Sequence, residues 1–173
     1  NLKIIGSDLE ALATSKGIIV VLITPKGVMD PLAKRINKLT RGSLTRLIGS
    51  KQFKEADTGK LFYINFPERC AAEKICVLKI ERRSSKLIAR KAGVAIAKMK
   101  GSVEILLALG NFANLVELCK GVMLREYKFY NHKTEVSLNL EDGDLITVMH
   151  KEPDILKSEL NEAEAIRDGV FLT

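Results

Sequence analysis

Seven consecutive residues, Gly17 to Ile23 (GIIVVLI), carry no polar side chain, and five of them are β-branched. So short and uniformly apolar a run fits a buried strand, and Thr24-Pro25-Lys26-Gly27 supplies the turn that ends it. Lys16 just ahead of it mimics the charged start of a signal peptide. A β-branched run that closes on a turn, with no small-residue cleavage site, is not one.

Beyond that turn the chain alternates between helix and strand. From Pro31 the apolar residues Leu32, Ile36, Leu39, Leu44, Leu47 and Ile48 recur at helical spacing, with Asp30 as cap and Gly42 as an interruption. Residues 60–66 and 74–80 read as strands, the second nearly continuous, as a strand covered on both faces should be. Ser84 or Ser85 caps a helix reaching about residue 100, with Ile88, Ala92, Ala95, Ile96 and Met99 as its buried stripe. Residues 103–109 are a strand, and Gly110-Asn111 turns the chain into a helix whose stripe is Phe112, Leu115, Val116, Cys119, Val122 and Met123. Glu117, Lys120 and Glu126 fall on its wet side, and it is expected to end in a basic, aromatic loop. Three of the nine aromatics, Tyr127, Phe129 and Tyr130, crowd there beside His132.

The alternation predicts an α/β fold with a mixed, mostly parallel sheet and helices on both faces. Two segments at the ends complete the expectation. Residues 2–5 form a strand, with the polar stretch 7–15 as a turn or hairpin loop before residue 17. Residues 135–140 and 145–150 are strands about the acidic turn at 141–144, paired antiparallel, and a last helix starts at Pro153-Asp154. At 173 residues, 46% hydrophobic and 28% charged, the chain suits one globular domain that buries about 70% of its extended surface, with no membrane span. Cys70, Cys76 and Cys119 are an odd number in no metal-type spacing, which favours a reducing cytoplasm.

Charge is unevenly spread. Residues 1–100 hold 21 Lys+Arg against 8 Asp+Glu, and the remainder 7 against 13. The basic positions Lys34, Arg35, Lys38, Arg41 and Arg46, and Lys86, Arg90 and Lys91, lie opposite the apolar stripes of their helices, either as solvated faces or as phosphate contacts to duplex DNA. No aromatics are interleaved with them, so a base-stacking platform is not expected. Other chemistry is sparse. His132 and His150 are the only histidines, and no paired-histidine, paired-cysteine or Gly-x-Ser-x-Gly spacing occurs. Asp142 and Asp144 flank Gly143 in a solvated turn, and the scattered glycines make no phosphate loop.

The segment Gly121-Val122-Met123-Leu124-Arg125-Glu126-Tyr127-Lys128-Phe129, followed by Lys133-Thr134, resembles the leucyl (cytosol) aminopeptidase family, in which a Gly-x-x-Leu-x-x-Tyr-x-Phe helix end precedes a Lys-Ser or Lys-Thr pair. Residues 163–173 (AEAIRDGVFLT) resemble the helix that joins that family's two domains. Gly121, Leu124, Tyr127, Phe129, Lys133 and Thr134 are then structural motif residues, whereas Tyr130 and His132 depart from the family pattern. The resemblance implies a macrodomain-like three-layer sandwich over residues 1–152 and a linking helix over 153–173. It also implies a cytoplasmic parent enzyme, a homo-hexameric metallo-exopeptidase whose separate catalytic domain binds two zinc or manganese ions. The parent's metal-ligand and catalytic motifs do not occur in this chain, so no catalytic or metal residue is expected in it. The glycine loops with which macrodomains hold ADP-ribose are not recognisable, and DNA binding, known for some bacterial members, is the alternative role.

Overall fold

A computed structural model describes residues 2–99, 104–132 and 146–172, with side-chain surroundings for 2–99, 104–124 and 146–162. In chain order the elements are β1 (Leu2–Ile5), α1 (Leu9–Thr14), β2 (Ile18–Ile23), α2 (Pro31–Leu39), α3 (Ser43–Ile48), α4 (Lys51–Glu55), β3 (Leu61–Asn65) and β4 (Lys74–Lys79). Then come α5 (Lys86–Lys98), β5 (Ile105–Ala108), α6 (Leu115–His132), β6 (Ile146–Met149) and α7 (Pro153–Leu172). The sheet runs β1-β6-β5-β2-β4-β3, and every neighbouring pair is parallel except β3 with β4.

Every residue of β2 is buried. Strand pleating sends Ile18, Val20 and Leu22 to one face and Ile19, Val21 and Ile23 to the other, so this one strand feeds two cores. The first core joins them to Ala89, Ala92 and Ile96 of α5, Leu118, Cys119 and Val122 of α6, and Leu156 and Leu160 of α7. The second gathers Leu12 of α1, Leu32 and Ile36 of α2, Leu44 of α3 and Phe53 of α4. Each large apolar side chain buried this way contributes about 1.5–3 kcal/mol. The expected three-layer α/β sandwich is what forms.

Details depart from the sequence reading for identifiable reasons. Residues 7–15 are not a hairpin loop: Asp8 accepts the Glu10 N–H at 3.0 Å and starts α1, and β1 pairs with the distant β6 instead of β2. The antiparallel pair is β3–β4, while β6 lies parallel to both its neighbours. The companion strand expected over 135–140 lies outside the described residues. The helix expected from Pro31 divides at Arg41 and Gly42, both with left-handed φ (55° and 84°), and Asn37 caps α3 by accepting the Leu44 and Thr45 N–H groups at 3.0 Å each. Ile88 faces solvent at 42% exposed, and the α5 stripe is carried by Ala89, Ala92, Gly93, Ile96 and Ala97 instead.

That stripe of small residues lets the backbones of α5 and α6 touch. A Cβ on Gly93 would stand 1.9 Å from the Leu118 carbonyl oxygen, and one on Gly121 would stand 2.1 Å from the Arg90 carbonyl oxygen. On the other face, the buried ammonium of Lys79 donates to the Phe53 and Ala56 carbonyls at 2.6 Å each and lies 4.8 Å from the Phe53 ring centroid. It thereby holds the positive charge that a helix carboxyl end favours against α4. Gly93→Ala is expected to force the two helices apart and cost about 1–3 kcal/mol, read as a lower urea midpoint. Lys98→Ala, on the exposed side of the same helix, should stay within about 0.5 kcal/mol of the parent.

Candidate functional site at the carboxyl edge of the sheet

The connection from β1 to β2 carries α1 on one face, whereas those from β4 to β5 and from β5 to β6 carry α5 and α6 on the other. Right-handed crossovers that proceed in opposite directions along a sheet must use opposite faces. The carboxyl ends of the neighbours β2 and β5 therefore send the chain to opposite sides. Such a switch point is where open α/β sheets form ligand crevices.

Here the β2 end turns tightly: Thr24 Oγ1 accepts the Val28 N–H at 2.9 Å, and the chain reaches Asp30, only 2% exposed. Asp30 Oδ1 caps α2 by accepting the Ala33 N–H at 2.8 Å, while Oδ2 has no hydrogen-bond partner among the described residues. Against Oδ2 lies Gly110, at the end of β5, with φ +63°; a Cβ there would fall 1.8 Å from that oxygen. Burial pushes the Asp30 carboxyl above its usual range, an effect only partly offset by the Ala33 N–H and the positive field of Arg82. The β5–α6 loop is tied to the β4–α5 loop where Ala113 N–H donates to the Arg82 carbonyl at 3.0 Å and Asn114 Nδ2 to the Ser84 carbonyl at 2.5 Å. By local pattern Asp30 is a helix cap and Gly110 a turn. That they meet is set by the pairing of β2 with β5, which no local pattern reports.

The basic positions do not form one surface. Lys34, Arg35, Lys38, Arg41 and Arg46 belong to the α2–α3 side, and Lys86, Arg90 and Lys91 to α5 on the opposite face of the sheet. Two of the first group are also engaged: Arg41 pairs with Glu68 at 3.7 Å, and Arg46 Nη1 donates to the Arg41 carbonyl at 2.8 Å. Arg90 donates to Glu117 through Nε at 3.2 Å and Nη2 at 3.3 Å, and Lys120 adds a third contact at 3.3 Å. Glu117, expected to face water, is 6% exposed, and its hydrogen bond with Arg90 holds its carboxyl below the usual range.

Other chemistry is muted. Burial pushes the Cys76 and Cys119 thiols up to about 12, which keeps them from being thiolate nucleophiles. His150 Nδ1 accepts the Glu152 N–H at 2.9 Å, a structural hydrogen bond. Among the described residues no three His, Cys, Asp or Glu side chains gather. Asp142 and Asp144 lie outside them, and no described helix is long and apolar enough to cross a membrane.

The same arrangement of strands and helices occurs in the Trypanosoma brucei macrodomain solved in complex with ADP-ribose, with a TM-score of 0.62, 12% identity, and coverage of 94% of this chain and 68% of that one. A mutant Oceanobacillus iheyensis macrodomain gives a TM-score of 0.62 at 13% identity, covering 96% and 94%. In sequence, the chain is 34% identical over 166 residues to a probable cytosol aminopeptidase of Cereibacter sphaeroides and 31% identical over 166 residues to one of Dinoroseobacter shibae. Over nearly its whole length the chain is similar to cytosol aminopeptidases, and its fold is that of a macrodomain. Each match takes in 96% of this chain and 33% of the relative, the proportion of an amino-terminal domain within a longer protein. No family profile matches the chain.

The residues that resemble the cytosol aminopeptidase motif fall on or after α6. Gly121 makes the close contact with α5, but Leu124, another of the structural motif residues, is 39% exposed. Tyr127 and Phe129 lie on a helix that runs on to His132 where a loop was expected, and their side chains lie outside those described, as do Lys133 and Thr134 altogether.

Asp30 and Glu117 should tune acid stability in opposite directions. Asp30 is raised in the folded state, so its contribution is fully present at low pH and is lost as pH rises through its folded value. Glu117 is lowered, so its contribution is present above the unfolded value and is lost as pH falls through the folded one. Urea titrations of Asp30→Asn and Glu117→Gln between pH 3 and pH 7 check this: relative to the parent, the first variant should gain stability as pH rises and the second should lose it.

Proposed function

We propose that this chain is the non-catalytic amino-terminal domain of an enzyme of the cytosol aminopeptidase type, with a structural or regulatory role toward a catalytic domain carried by the rest of that protein. The observation behind the reading is the proportion of the match, nearly all of this chain against one third of each relative. The remaining two thirds would hold two divalent ions, zinc or manganese, about 3.5–4 Å apart around the attacking water, release amino-terminal residues from peptides, and build the homo-hexamer. Within such an enzyme this domain contributes a rigid frame: α5 and α6 in backbone contact, with Glu117 clamping them through Arg90.

The test is an assay of the purified 173-residue chain on a leucyl amide with added Mn²⁺, beside the protein obtained by extending the reading frame to the length of the relatives. The chain alone should give no turnover and the extended protein should give metal-dependent turnover. Turnover by the chain alone would overturn the assignment.

A further inference from the structure

Strand β3 ends the sheet, and its two edges differ. Lys79 N–H donates to the Lys60 carbonyl at 3.0 Å and Phe66 N–H to the Glu73 carbonyl at 2.7 Å, so even-numbered positions from 60 to 66 direct their backbone groups toward β4. By the alternation of an antiparallel ladder, Leu61, Tyr63 and Asn65 direct theirs outward. Among the described residues nothing pairs with that outer edge.

Exposed edges are ordinarily blunted by charge, proline or a bulge, because unpaired N–H and C=O groups recruit other strands. At the opposite end of the sheet β1 follows the rule with an exposed lysine, Lys3. Residues 61–66, Leu-Phe-Tyr-Ile-Asn-Phe, contain no charge, no proline and no glycine. Tyr63 is 47% exposed and Phe66 82% exposed. Phe66 also holds a left-handed φ of 48°, a conformation that costs a non-glycine residue about 1–3 kcal/mol and concentrates at places where a contact repays it.

We propose that the outer edge of β3 pairs antiparallel with β3 of a second copy of this chain, about a two-fold axis through Tyr63. The strand is self-complementary in that register. Leu61 falls opposite Asn65 of the partner copy, Tyr63 opposite Tyr63, and Phe62 opposite Ile64, so the second core continues across the join. Lys60 falls opposite Phe66 at each end of the pairing, so no like charges are opposed within it. About six N–H···O bonds would close the three outward positions of each strand. An edge join of this kind falls in the size class of weak, reversible contacts, below about 1,200 Å².

Sedimentation equilibrium over micromolar to near-millimolar concentrations, with amide hydrogen exchange at both ends of that range, tests the pairing. The expected result is a monomer–dimer equilibrium in which the Leu61, Tyr63 and Asn65 amides exchange about tenfold more slowly at the higher concentration, while Phe62 and Ile64 are protected at both. Tyr63→Pro removes an outward N–H without touching the β4 ladder and should abolish the dimer. If that variant does not fold, Tyr63→Lys, which leaves the backbone intact and guards the edge with charge, decides in its place. A chain that stays monomeric with rapidly exchanging outward amides overturns the proposal. So does a dimer that survives a folded Tyr63 variant, since its interface would lie elsewhere.

Discussion

Strand β2 is the constraint on which the rest of this molecule depends. With both of its faces buried, neither can be left to water, and each face demands its own helical layer. Its hydrogen-bonding edges are equally committed, to β4 on one side and β5 on the other. A strand in that position cannot slip by one residue without exchanging its two cores, so the register of the whole sheet is referred to it.

Much of this was readable in the chain because local chemistry decides it. The uniform run 17–23 marks a strand covered on both faces, and Asp30 and Ser85 are short polar caps that accept helix N–H groups where the helices start. What the chain did not disclose is set at a distance. Helix α1 has six residues, too few to show a period, and the strand before it pairs with β6 from the other end of the sequence. Helical spacing says that Lys34 and Lys86 lie opposite apolar stripes, but not that the two stripes pack on opposite faces of one sheet. Glu117 looks like a surface residue until the glycine contact brings Arg90 beside it. The meeting of Asp30 with Gly110 likewise needs two strands that are neighbours in space only.

The relation to cytosol aminopeptidases and the likeness to macrodomains concern different properties. At 12–13% identity the likeness to macrodomains establishes a shared frame. At 31–34% identity the relation to the aminopeptidases extends over nearly the whole chain. Function belongs to sites and not to frames, so the same strand order can serve unrelated tasks. In this chain the described residues concentrate their buried polar groups on holding elements together: Asp30 at a helix start, Glu117 between helices, Lys79 at a helix end.

The Lys79 contact has a consequence for how the molecule opens. Its ammonium comes from β4, yet both carbonyls it satisfies lie at the end of α4, some two dozen residues earlier in the chain. Releasing α4 would strip the ammonium of both carbonyl acceptors, and releasing β4 would strip the helix end of its counter-charge. Neither can loosen alone at low cost. The α4 segment and the β3–β4 hairpin are thereby coupled into one cooperative unit, and local fluctuations at this end of the sheet involve both together or are suppressed.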